Sequence, residues 1–231
     1  MYKYIFIPLI ILLVTIFSGC AGPSHLSYQQ SWAEHTIKEL SLREKIAQMM
    51  VYHMNMHFLN EESPKWKEIK LLLETDGIGG IHIWFGDAGT SLTLLNQIQQ
   101  FSKVPVIVDA DIEYGIQRRF PSGTDLPPFM AIAATNNPHY AYEAGKISAI
   151  EGRALGIHWN FSPVTDVNNN PNNPIINTRS FGEDPNVVGE YAVQFMKGLQ
   201  DHGMLATAKH FPGHGDTETD SHTSLATIPS D

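Results

Sequence analysis

Residues 209 to 222 read KHFPGHGDTETDSH, with three histidines (His210, His214, His222) and three acids (Asp216, Glu218, Asp220) in fourteen positions. Two chemistries suit such a stretch: metal ligation and proton transfer. His210 and His214 are four apart, which suits one helix face, but Pro212 and Gly213 between them forbid a regular helix. Extended backbone separates the two rings too far for easy chelation, and the chain has no HExxH pattern. Proton transfer fits better. Asp220 and His222 are two apart, so in extended backbone their side chains share a side. A carboxylate hydrogen-bonded to an imidazole fixes its tautomer and favours its protonated form, ready to donate to a leaving group. On residue types alone, the same stretch also reads as a solvated polar loop.

The segments ahead of it alternate in a regular order. Short apolar runs at MMVYHM, GIGGIHIWF, VPVIVDAD, GIHWNFSPVTDV and MLATAKHFPG read as strands. Between them KWKEIKLLLE, SLTLLNQIQQFSK, NPHYAYEAGKISAIEGRAL and EDPNVVGEYAVQFMKGLQDHG carry helical spacing, the third opened by Asn137 before Pro138. Strands that alternate with helices pair in parallel, as an open doubly wound sheet or a closed (β/α)8 barrel. No strand is followed by a Gly-rich dinucleotide fingerprint, which weighs against the first. The polar clusters DADIEYG, DVNNNPNNPIINTRSFGEDP and KHFPGHGDTETDSH each follow a strand, where a barrel gathers its functional residues. The expected fold is therefore α/β, a (β/α)8 TIM barrel. It is incomplete, with about five of its eight units present. The chain ends on IPSD, a helix-start signature, so it is expected to stop mid-fold.

Bulk properties narrow the partners. A net charge of −9, with Lys and Arg scattered, excludes a nucleic-acid surface. The first twenty residues, MYKYIFIPLIILLVTIFSGC, have the charged start, apolar middle and small-residue end of an export signal. FSGC resembles the bacterial lipobox, with Phe17 where Leu is usual. That resemblance implies cleavage at Cys20, lipidation there, and a membrane-anchored envelope protein, with Gly22 pointing to the outer membrane. An ordinary signal peptide and an uncleaved anchor are the alternatives. Cys20 is the only cysteine, so no disulfide or thiolate zinc site forms within one chain. Residues 21–31 read as a polar tether ahead of a barrel over 32–231. A helical stripe of Ile37, Leu40, Ile46 and Met49 is expected to be buried. Ser41 and Glu44 form a capping box that opens a second helix.

The quoted loop closely resembles the signature of family 3 glycoside hydrolases of the β-N-acetylglucosaminidase type. The match continues through PVIVDADIEYGIQRRF, FSPVTDV and NTRSFGEDP, in the family's order and over most of the mature chain. The resemblance implies that His222 is the general acid/base and Asp220 its supporting aspartate. It places Lys209 and His210 on the sugar hydroxyls, and adds Asp111, Arg119 and Arg179 as substrate-binding residues. It gives Gly213 and Gly215 the role of letting the loop swing. ADIEYG departs from the family's common DQEGG, making that loop's backbone less permissive. No metal or organic cofactor is implied. The implied reaction is retaining hydrolysis of terminal β-N-acetylglucosaminides, with a glycan such as a peptidoglycan fragment or chito-oligosaccharide as partner. The family's nucleophilic aspartate lies on the seventh strand, which places it beyond residue 231.

Each residue also has a plainer reading: Asp111 as a strand-end cap, Arg179 as partner of Glu183 or Asp184, Lys209 as a surface charge. Asp166, His214 and Asp216 read as loop-supporting residues, and Trp84 and Phe85 as core. The rival functions are a metal-dependent hydrolase, a non-catalytic sugar-binding or cell-wall lipoprotein, and a β-glucosidase of the same family. Phosphate can replace water as the acceptor.

Overall fold

Short apolar-containing runs form the strands β1 (Val51–Met56), β2 (Gly80–Gly86) and β3 (Ile107–Ala110), and two short strands follow, β4 (Trp159–Asn160) and β5 (Leu205–Ala206). The computed structural model describes residues 25–228, so the expected signal segment and Cys20 lie outside the described residues. All five strands are parallel and hydrogen-bond in the order β1-β2-β3-β4-β5. A doubly wound sheet reverses its order at a switch point; this one does not, which is the winding of a barrel. The expected barrel architecture is thus seen as five consecutive strands of it.

Helices supply the crossovers. They are α3 (Pro64–Leu71), α4 (Ala88–Phe101), α6 (His139–Ala154) and α7 (Pro185–Gln200), with the short α5 (Phe129–Ala133) ahead of α6. Side-chain caps set three starts: Ser63 accepts from Trp66 N, Asp87 from Thr90 N and Asp184 from Asn186 N. Ahead of α6, Asn137 Oδ1 accepts from His139 N at 3.1 Å. Helices α6 and α7 pack backbone to backbone. A Cβ on Gly145 would stand 2.2 Å from Phe195 O, and one on Gly198 2.1 Å from Tyr142 O, so neither position admits a side chain.

Alternation along the strands divides their faces. Ile81, Ile83, Val108 and Ala110 join the buried helix residues in one apolar core. The opposite face carries His53, His82, Asp109 and Trp159 in register across β1 to β4. Phe129 of α5 stacks on Phe181 at 4.5 Å and meets Phe195 edge-on at 5.0 Å. That cluster anchors the loop between β4 and α7.

Contacts divide the chain into two units, residues 1–45 and 46–231. The first, where described, contains α1 (His25–Glu39) and the start of α2 (Leu42–Ala47). Its capping box forms as expected: Ser41 N donates to Glu44 Oε2 at 2.8 Å, and Glu44 N to Ser41 Oγ at 3.3 Å.

Four expectations need correction. Residues 25–31, placed in a polar tether, are helical; no Gly or Pro follows Pro23 to break the run. Leu40 is buried, but Ile37, Ile46 and Met49 are exposed, because that periodicity runs across two helices broken at Ser41. The fourth strand is only two residues long, since Pro163 offers no N–H to extend the ladder. Trp84 and Phe85 are not core: both are exposed at the tip of β2.

Candidate active site

The tip of β3 supplies two carboxylates. Asp111 and Glu113 follow the strand two residues apart and therefore project to one side. Ile112 between them is clamped by buried Asn160 of β4, which accepts from Ile112 N at 2.9 Å and donates to Ile112 O at 2.9 Å. That clamp fixes both acids to the sheet.

The extension of β5 brings a cation. Lys209, bridged to Val164, donates to Asp111 Oδ1 at 2.7 Å and Glu113 Oε1 at 2.6 Å. Arg179, on the 3-10 turn Asn177–Arg179, grips Glu113 with Nε at 3.0 Å and Nη2 at 2.9 Å. Its partner is therefore Glu113, not Glu183 or Asp184. Arg119 donates to Asp111 O at 2.9 Å and lies 3.5 Å from Asp111 Oδ2. Its guanidinium also sits 4.5 Å over the Trp84 ring. Two carboxylates and three cations thus interlock, each side chain mostly buried (Glu113 is 12% exposed, Lys209 14%).

Burial works to raise the Glu113 carboxyl, but the Arg179 hydrogen bonds and the Lys209 and Arg179 charges outweigh it and hold it at about 2. The neighbouring Tyr114 phenol is pushed up to about 12, by burial first and then by the Glu113 charge. Glu113 is accordingly an anion at neutral pH, and it accepts and does not donate.

Asp166, with its side chain fully buried, organises the loop that begins at His210. Its Oδ2 accepts from His210 Nδ1 at 2.6 Å and His210 N at 3.2 Å, and its Oδ1 accepts from His214 N at 2.7 Å. Asn173 ties this loop to the Arg179 loop, donating to His214 O at 2.7 Å while accepting from Ile176 N at 2.7 Å. Gly215 runs so close to Val167 that a Cβ there would stand 1.7 Å from the Val167 carbonyl, whereas nothing lies within 4 Å of a Cβ on Gly213. Gly215 therefore admits no side chain, whereas Gly213, at a φ of 142°, has open space beside it.

At the far end of the loop, Asp220 Oδ1 accepts from His222 Nδ1 at 2.6 Å and from His222 N at 2.9 Å. Those bonds hold the Asp220 carboxyl below its ordinary value, the backbone one first. Nδ1 is taken, so Nε2 is the nitrogen that can face a substrate. The His222 side chain is 71% exposed.

One open cleft of about 950 Å³ is lined by Asp111, Arg119, Arg179, Lys209, His210 and His222 together, along with Glu113, Trp84 and Phe161. Asp220 is not among the lining residues and reaches the cleft through its bond to His222. The arrangement offers carboxylates and fixed cations for vicinal hydroxyls, aromatic faces for a sugar ring, and one imidazole set to move a proton. Among the described residues, no group of three or more His, Cys, Asp or Glu is placed to hold a metal ion.

Residue reading missed Glu113, although its i+2 spacing from Asp111 signals a shared face. It also missed Asn160, whose clamp leaves no trace in local sequence. A second buried pair, His82 Nδ1 with Asp109, lies below the cleft and was not foreseen either.

The chain matches the family model described as glycosyl hydrolase family 3 N terminal domain over residues 41–231. It is 36% identical over 177 residues to beta-hexosaminidase A of Pseudoalteromonas piscicida, covering 71% of this chain and 30% of that one. A solved family 3 beta-N-acetylglucosaminidase from Paenibacillus sp. str. FPU-7 superposes with a TM-score of 0.74 at 36% identity, covering 83% of this chain and 37% of the other. The beta-glucoside phosphorylase BglX bound to 2FGlc superposes with a TM-score of 0.76 at 29% identity, covering 84% and 34%. The chain spans about a third of the length of these relatives. With five parallel barrel strands and this match across most of its length, the chain belongs to glycosyl hydrolase family 3 and carries that family's N-terminal domain.

Proposed function

We propose that these residues form the sugar-binding and proton-donating part of a β-N-acetylglucosaminidase. Asp111, Glu113, Arg119, Arg179, Lys209 and His210 hold the hydroxyls of the non-reducing sugar. His222 protonates the departing glycosidic oxygen through Nε2 while Asp220 holds Nδ1, and it then deprotonates the incoming water. A retaining mechanism needs a second carboxylate on the opposite face of the sugar. In this reading that nucleophile comes from a segment outside these 231 residues. The hexosaminidase and N-acetylglucosaminidase names of the relatives support the amino-sugar choice. A peptidoglycan fragment or chito-oligosaccharide is the natural glycan.

One observation carries the reading: His222, paired to Asp220, lines the same cleft as Asp111 and Lys209. Turnover of p-nitrophenyl N-acetyl-β-glucosaminide by a longer protein, this chain extended to the length of its relatives, with His222→Ala as control, tests it. Equal turnover by that variant would remove His222 from the chemistry. A second reading, phosphorolysis, draws on the BglX likeness. Formation of a sugar 1-phosphate in phosphate buffer identifies it.

The envelope location belongs to the same proposal. Cys20 carries the lipid, and the export signal lies within residues 1–20, ahead of it. Labelled palmitate incorporated by the wild type and lost in Cys20→Ser tests that assignment.

A further inference from the structure

The loop contains a third imidazole, His214, which is not among the residues lining the cleft. His214 is only 8% exposed, and every polar atom it offers is used. The Thr217 hydroxyl donates to His214 O at 3.0 Å, so its oxygen accepts from His214 Nδ1–H at 2.5 Å. In the neutral ring Nε2 is then the acceptor, and the Ser221 hydroxyl lies 3.0 Å from it. Ser221 is the residue between Asp220 and His222.

The Asp220–His222 contact is local, two residues apart, and by itself does not fix where the segment stands. Among the described residues, the other hydrogen bonds made by residues 220–224 also stay within that segment. The bond from Ser221 to His214 links the segment to the rest of the loop. His214 is in turn pinned through its own N–H to Asp166, the carboxylate that sets His210 in the cleft.

We propose that His214 is a positioning residue: its imidazole, held in the Nδ1–H tautomer by Thr217, latches Ser221 and thereby fixes where His222 stands at the cleft. The proposal rests on the reading of His222 as the proton donor. The Asp166 carboxylate becomes the common reference for two elements, the sugar-holding His210 and the dyad loop.

Nuclear magnetic resonance of the full chain with labelled histidines tests this without substrate. The neutral His214 ring should show a protonated Nδ1 and an unprotonated Nε2. Ser221→Ala should speed amide exchange at His222 and Thr223 about tenfold, the loss of one hydrogen bond. Amides of α7 such as Phe195 should be unaffected. Ser221→Thr keeps the hydroxyl and should restore slow exchange. Adding Ser221→Ala to His214→Ala should add nothing at His222. Unchanged exchange in Ser221→Ala, or an Nε2–H tautomer of His214, overturns the latch.

In the longer protein, Ser221→Ala should lower kcat on the p-nitrophenyl substrate with KM unchanged, and Ser221→Thr should recover it. Absence of turnover with the exchange results intact refutes the glycosidase reading and leaves the latch standing. Wild-type kcat in Ser221→Ala refutes the latch.

Discussion

Arg179 and Glu113, 66 residues apart in the chain, meet in two parallel hydrogen bonds of 3.0 and 2.9 Å. Lys209 closes on the same carboxylate at 2.6 Å, so a residue from the β3 tip gathers cations from two later loops. Charges this buried stay compensated only while every partner is present. Glu113→Ala strands Arg179 and leaves Lys209 with Asp111 alone, and should cost about 3 to 5 kcal/mol in urea unfolding. A loss below about 1 kcal/mol would show that water compensates the cations and the network is not structural.

Arg179→Lys should not be conservative. A lysine offers a point charge where the guanidinium offers a planar fork, and the second bond to Glu113 goes. The variant should unfold at lower urea than wild type, and soaked N-acetylglucosamine should bind more weakly by calorimetry. Wild-type values for both would contradict the two-point geometry.

The Glu113 carboxyl also sets a pH dependence. Its folded value, about 2, lies below the ordinary 4.5, so its contribution is fully present above about 4.5 and is lost as pH falls through about 2. The size is of order 3 kcal/mol. Unfolding free energy should therefore drop between about pH 5 and pH 2, and Glu113→Gln should flatten that slope by one proton. An unchanged slope in the variant assigns the effect to other carboxyls.

Gly215 and Gly213 should respond differently to alanine. At Gly215 a methyl would meet the Val167 carbonyl at 1.7 Å, so the loop must shift, at a cost of a few kcal/mol. At Gly213 space is open, and the cost is the positive φ of 142°, about 1 kcal/mol. Thermal melts of the two variants should rank Gly215→Ala as the worse.

Much of this was legible in the sequence because local physics wrote it there. Strand and helix periodicity, the Ser41–Glu44 box and the strand-end clusters all depend on neighbours within a few residues. Asp111, Arg119, Arg179, Lys209, His210 and His222 each follow a strand, and parallel winding alone brings such tips together. What escaped depends on residues far apart. Asn160 holds Ile112 across 48 positions, and Glu113 gains its role only when Arg179 and Lys209 arrive. Trp84 and Phe85 read as core by hydrophobicity, yet their place at a strand tip beside Arg119 keeps them exposed.

The central claim is that His222, steered by Asp220, delivers the proton to the leaving group. Leaving-group dependence tests it most directly, in the longer protein with His222→Ala. With a poor leaving group that needs protonation, the variant should lose about 10² to 10⁴ in kcat/KM. With a 2,4-dinitrophenyl N-acetyl-β-glucosaminide, which departs without a proton, it should lose far less in the glycosylation step. An equal loss on both substrates would contradict the assignment and place His222 in binding instead.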